Sequence, residues 1–185
     1  MEGMEDTVVI EKRVVSAIFF LIAAASLWAE GGGGVFWGRQ RYHSEFANRD
    51  IAFCYSGGYG YGVKSGGTRV GGFGMGIHDE SNAADLTGGV GGIITGQQAA
   101  LGPIMLSMNA LLGVGGIRAD FGQPASYFAY FGELDAELGV RVVEWMQISL
   151  YGGMTLFGNL APGDPVTDSV VYSPVVGMRL TWGSF

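Results

Sequence analysis

The sequence predicts an all-β chain. An eight-stranded antiparallel transmembrane β-barrel occupies residues 30–185, behind an N-terminal signal peptide at residues 1–29. Three observations predict it. Apolar residues recur with a period of two, not 3.6. The alternating segments run to ~10–15 residues, against ~5–6 in soluble sheets and ~9–11 for strands that cross a bilayer. Three short connections alternate with four longer polar ones, which joins eight strands and puts both termini on one side.

Composition agrees. Charged residues are 15% of the 185, where ~25% is usual, and there are 34 glycines. The formal charge of −7 argues against a nucleic-acid partner. Cys54 is the only cysteine, which excludes an internal disulfide and a cysteine-based zinc cage. His43 and His78 leave little for metal or proton chemistry, so no cofactor is expected.

The N-terminal stretch has the order of an export signal. Lys12 and Arg13 precede fourteen apolar or small residues, "VVSAIFFLIAAASL". That length suits a signal peptide better than a membrane span. Cleavage after Ala29 leaves Glu30 first; the alternative is an uncleaved anchor helix. The acids of "MEGMED" are unusual before such a stretch and fit a start further downstream.

The strands follow in order. On "VFWGRQRY", outward Phe36 and Tyr42 put Arg39 and Arg41 inside. On "IAFCYSGGYGYGVK", Phe53, Tyr55, Tyr59 and Tyr61 alternate with small residues, which assigns the aromatics to lipid and Gly58, Gly60, Gly62 and Lys64 to the interior. The third and fourth strands bring Gly72, Gly74, Gly76, Gly89 and Gly91 to the inward parity. No residue from Leu86 to Ile117 is charged, and paired glycine-zipper helices compete there; the double glycines, Pro103 and the period of two favour strands.

The second half alternates more cleanly. On "IMLSMNALLGVGG", Leu106, Met108, Leu112 and Val114 face one way, and Ser107 and Asn109 the other. On "FGELDAELGVRVV", Leu134, Ala136, Leu138 and Val140 face lipid while Glu133, Asp135, Glu137 and Arg141 point inward. On "WMQISLYGGMTLF", Ile148, Leu150 and Met154 alternate with Gln147, Ser149 and Thr155. On "VVYSPVVGMRLTW", Val176, Met178, Leu180 and Trp182 alternate with Gly177, Arg179 and Thr181. The short joints are at 65–67, 97–103 and 142–145, and the longer ones at 43–50, 78–85, 119–126 and 158–168.

Closure removes the sheet edges, which lipid does not tolerate. Glu133, Asp135, Glu137, Arg141, Arg179, Arg39, Arg41 and Lys64 then share one interior, where unpaired charge is costly and a paired network is expected. A catalytic carboxylate pair is the rival reading of the acids, but no other catalytic group accompanies them. Eight strands leave room only for side chains or one small ligand. Either the interior is filled, or a crevice remains. "GYGYGVKSG" has a lysine among glycines but neither Gly-Lys-Ser/Thr nor a βαβ context, so it is no nucleotide loop.

Over residues 34–185 the chain resembles the small eight-stranded outer-membrane proteins of the OmpA-domain, OmpX and OmpW type. Strand count, loop alternation, girdle aromatics and an aromatic C-terminal end carry the resemblance. It implies the outer membrane of a diderm bacterium, with loops extracellular and termini periplasmic. It implies outer-membrane lipid, periplasmic chaperones and the barrel-assembly machinery as partners. That machinery reads a terminal aromatic in phase with the lipid-facing residues. Trp182 is in phase and Phe185 is not, so either Trp182 carries the signal or a bulge at Gly183 restores Phe185.

The leading functional expectation is a narrow passive channel for small or hydrophobic solutes, or a barrel with a filled lumen. The alternative is a non-conducting structural or adhesion protein touching host surface molecules. A non-enzyme is expected. A lipid-modifying barrel enzyme is the minor alternative, with His43 and His78, Asp79, Glu80 and Ser81 in the outward loops.

Overall fold

The structure, a computed structural model, describes residues 31–44, 49–64, 66–79, 86–120, 124–159 and 170–183. The expected signal peptide and Phe185 lie outside them. Eight strands follow one another: β1 (Gly31–Ser44), β2 (Arg49–Val63), β3 (Thr68–Asp79), β4 (Thr87–Leu101), β5 (Ile104–Asp120), β6 (Pro124–Val143), β7 (Met146–Asn159) and β8 (Val170–Gly183). Each pairs antiparallel with the next, and β1 pairs with β8 to close the barrel. The fold class is the one the alternation predicts.

The strands are longer than expected. They reach 20 residues in β6, well beyond the ~9–11 that a bilayer requires. Stretches expected as loops are therefore strand. Most of 97–103 belongs to β4, and the turn is Gly102-Pro103, with Gly102 at φ 65°. The tight connections 64–67, 102–103 and 144–145 share the end at which β1 begins and β8 finishes, the terminus end of the described strands. Gly66 and Gly67 hold the first of them at φ 92° and 81°, a region that favours glycine.

Paired residues face the same side of a sheet, so the register decides which side faces lipid. On β5–β8 the apolar residues face out: Leu134 is 68% exposed and its neighbour Glu133 is 3% exposed. On β1–β4 the register reverses the assignment made from hydropathy. Leu112 faces out, and it pairs through Ile93 and Gly72 to Gly60. Gly58, Gly60, Gly72, Gly74, Gly89 and Gly91 therefore face out, and Phe36, Tyr55, Tyr59, Tyr61 and Phe73 fill the interior.

The physical reason is volume. An eight-stranded barrel has an interior just wide enough for side chains to fill, and the acids of β6 leave the opposite wall to be filled by large residues, not glycine. Arg39 and Arg41 consequently stand on the outer face, exposed, on the same side of β1 as Trp37. Lys64 is exposed in the turn after β2. Neither the two arginines nor the lysine enters the interior as expected.

The two glycine sets differ in what a side chain would meet. A Cβ on inward Gly71 would stand 1.9 Å from the Gly60 carbonyl oxygen, whereas one on outward Gly74 would meet nothing within 4 Å. Gly71→Ala should then cost about 1–3 kcal/mol as an overpacking change. Gly74→Ala should leave the folded fraction unchanged. Heat-modifiable gel migration of the refolded proteins measures both.

Candidate functional site in the barrel interior

The strands lay the interior down in two layers. Toward the loop end, aromatic rings close the bore. Phe131 and Phe157 have ring centroids 4.8 Å apart, Phe53 lies 5.6 Å from Phe157, and Phe73 lies 5.9 Å from Phe131. Ile77, Ile117 and Val90 pack among them. Toward the terminus end the filling turns polar, because the strand parity there delivers Glu133, Asp135 and Glu137 from β6 and Arg179 from β8.

Arg179 is the hub. Its Nη1 donates to Asp135 Oδ1 and Glu137 Oε2, each at 2.9 Å. Its Nη2 donates to Asp135 Oδ2 at 2.7 Å and to Glu133 Oε1 at 3.3 Å. The fork grips Asp135 with both arms, a geometry only a guanidinium provides. The Tyr151 ring lies under the guanidinium, 4.0 Å from its carbon, and contributes a cation–π contact.

A second guanidinium comes from β3. Arg69 Nη2 donates to Asn109 Oδ1 at 2.7 Å and lies 3.7 Å from Glu137 Oε2. Asn109 passes the contact on, its Nδ2 donating to Asp135 Oδ1 at 2.8 Å and Glu137 Oε2 at 3.1 Å. Three carboxylates thus face two buried guanidiniums. Neutral donors supply the difference: Tyr55 to Glu133 at 2.6 Å, and Ser149 and Gln147 to Glu137 Oε1 at 2.6 and 3.2 Å. Buried ionic clusters hold only when such partners satisfy the remaining lone pairs.

The structure therefore brings Glu133, Asp135, Glu137 and Arg179 together. Arg141 lies half-buried nearer the terminus end, with Nη2 3.5 Å from Met105 Sδ. Arg39, Arg41 and Lys64 stay outside. Trp182 is the last aromatic of β8 in the described residues, paired with Gly33 and Met146. Gly183 follows it at φ 146°.

Sequence reasoning missed Arg69, Tyr55 and Asn109 as network members. A signal was present on β3. Phe73, Met75 and Ile77 share the parity of Arg69 and alternate with glycines, so assigning the large residues to the interior also assigns the arginine there. The cluster has no arrangement suited to a cation. Each carboxylate already faces a guanidinium, and among the described residues no group of three or more His, Cys, Asp or Glu is placed to hold a metal ion.

Comparison with known proteins agrees with the architecture. No family model matches the chain, and no curated protein matches it by sequence. Among solved structures, the chain is similar to Neisserial surface protein A (NspA), with a TM-score of 0.63 at 8% identity, over 82% of this chain and 96% of that one. Ail, the attachment invasion locus protein of Yersinia pestis, matches with a TM-score of 0.47 at 14% identity, over 83% and 99% of the two chains. The chain has the fold of the small eight-stranded outer-membrane barrels.

Proposed function

We propose that the protein is a non-conducting, non-enzymatic barrel of a bacterial outer membrane. It acts as a surface scaffold that holds its loop-end connections toward partners outside the cell. One observation carries this reading: the interior is occupied along its length, by the Phe53, Phe131 and Phe157 cluster toward the loops and by the Arg179 cluster toward the termini. An ion crossing would have to part both. The aromatic layer is held by packed ring contacts, and the Arg179 layer by at least four charge-assisted hydrogen bonds. The similar fold of NspA, a surface protein by its name, favours display over transport. The narrow channel expected from composition rested on inward glycines, and those glycines face out.

Refolded protein in a planar bilayer should show no steady conductance above the bilayer alone. Large, stable openings would overturn the reading. The orientation has its own test. An epitope inserted at 160–169 should be stained on intact cells, and one inserted at 64–67 only after permeabilisation.

A further inference from the structure

The outer face of the barrel carries charge where a membrane wall should be bare. Arg39 on β1 pairs with Cys54, which pairs with His78 on β3; His78 pairs with Thr87, and Thr87 with Arg118 on β5. These residues form one row on the lipid-facing side, near the loop end of each strand, and Arg39, His78 and Arg118 are exposed. The basic side chains sit on alternate strands, with the smaller Cys54 and Thr87 between. At about 4.8 Å per strand the row spans roughly 20 Å.

The next row toward the membrane holds Trp37, Ser56, Gly76, Gly89, Gly116 and Phe128. The row of Arg39, His78 and Arg118 therefore borders the apolar belt on its loop side. Arg118 stands at the rim of an outer groove of about 430 Å³, with Thr87 and Ser126 beside it, Gly116 in its floor and Phe128 as an apolar wall. The His78 ring folds over Gly76, with Nε2 3.5 Å from where a Cβ would stand. Below, the wall is bare backbone at Gly58, Gly74 and Gly91, and a second groove of about 670 Å³ continues past Gly60 and Gly72 toward Trp182. A cationic rim above an apolar furrow complements a molecule with an anionic head and acyl chains.

We propose that this outer face binds a phosphate-bearing lipid in the leaflet at the loop end, its headgroup held by Arg39, His78 and Arg118 and its chains lying over the glycine floor. Guanidiniums match phosphate oxygens in geometry and remain charged at all relevant pH. The proposal rests on the membrane reading of the barrel but not on which membrane holds it.

The test uses refolded protein in phosphatidylcholine bilayers doped with phosphatidic acid whose acyl chains are brominated. Trp37 borders the furrow and is 52% exposed, so the bromines report chain proximity by quenching it. To isolate that signal, Trp28, Trp145 and Trp182 are replaced with Phe. Phosphatidic acid should quench Trp37 at lower mole fraction than brominated phosphatidylcholine. Arg39→Gln with Arg118→Gln should weaken that preference by about tenfold or more, while the Lys pair at the same positions retains it. Equal quenching by the two lipids in the parent protein overturns the proposal, whether or not a variant folds. So does an unchanged preference in the folded Gln pair. Inorganic phosphate that abolishes the preference would assign the cations to a soluble phosphate ligand and likewise overturn it. Failure of localisation in cells would leave this measurement intact, which separates it from the surface-scaffold reading.

Discussion

Replacing Arg179 with methionine should leave most of the protein unfolded under conditions that refold the parent barrel. Methionine is unbranched like the arginine stem but stops short of the guanidinium, and it removes every donor that Arg179 gives to Glu133, Asp135 and Glu137. All three carboxylates are 5% exposed or less. Removing one partner of a buried ionic group costs about 3–5 kcal/mol, because the remaining charge keeps its desolvation penalty and loses its compensation. That is a large part of the stability of a typical domain. Arg179→Lys should fall between. It keeps one charge but cannot grip Asp135 with both arms. The decisive comparison is a rescue: adding Glu133→Gln and Asp135→Asn to Arg179→Met removes two of the orphaned charges and should restore a substantial folded fraction. Denaturant titration in detergent, read by gel mobility, gives all four values. If Arg179→Met alone folds like the parent, the cluster contributes no stability and its role in closing the bore is in doubt.

The fold was legible because bilayer chemistry writes period two into β5–β8. Ser107, Asn109, Glu133, Asp135, Gln147, Ser149 and Arg179 all announce the interior by polarity, and the structure places every one of them there. The same rule misreads β1–β4. On Tyr55, Tyr59 and Tyr61 the ring is apolar and the hydroxyl is not, so hydropathy assigns to lipid a residue whose oxygen belongs in the polar interior. Tyr55 shows it directly, its hydroxyl donating to Glu133 from the far wall. Glycine adds to the error, because it carries no polarity signal and fits either face. What the sequence did not display was pairing. Once Gly60 is known to be in register with Gly72, Ile93 and Leu112, its face is fixed by the leucine. Filling is the other missing constraint. Three acids on one wall require donors and volume on the opposite one, and Tyr55 of β2 and Arg69 of β3 provide both.

Replacing Leu134 with arginine should impair membrane insertion severely, and the effect should depend on depth. Leu134 is 68% exposed on the lipid face of β6, between Phe128 toward the loop end and Val142 toward the terminus end, both of them 52% exposed on the same face. It pairs with Ala110 on β5 and Met154 on β7, neither of which can accept a hydrogen bond from a guanidinium through a side-chain oxygen. Near the midplane, such a substitution costs about 2–4 kcal/mol; near an interface it costs about 0–1. Val142→Arg should therefore be nearly silent, since the side chain reaches the headgroups at the turn end. Glu133→Gln, one residue away from Leu134 but on the inner face, supplies the control for position along the strand. It keeps the shape and an acceptor for Tyr55, and it weakens only the 3.3 Å contact to Arg179. Its cost should be smaller than that of Leu134→Arg and independent of bilayer thickness, whereas the arginine penalty should grow as thicker lipids are used for refolding. Equal effects of Leu134→Arg and Val142→Arg would contradict the placement of the apolar belt. Equal effects of Leu134→Arg and Glu133→Gln would contradict the face assignment on which the charged interior depends.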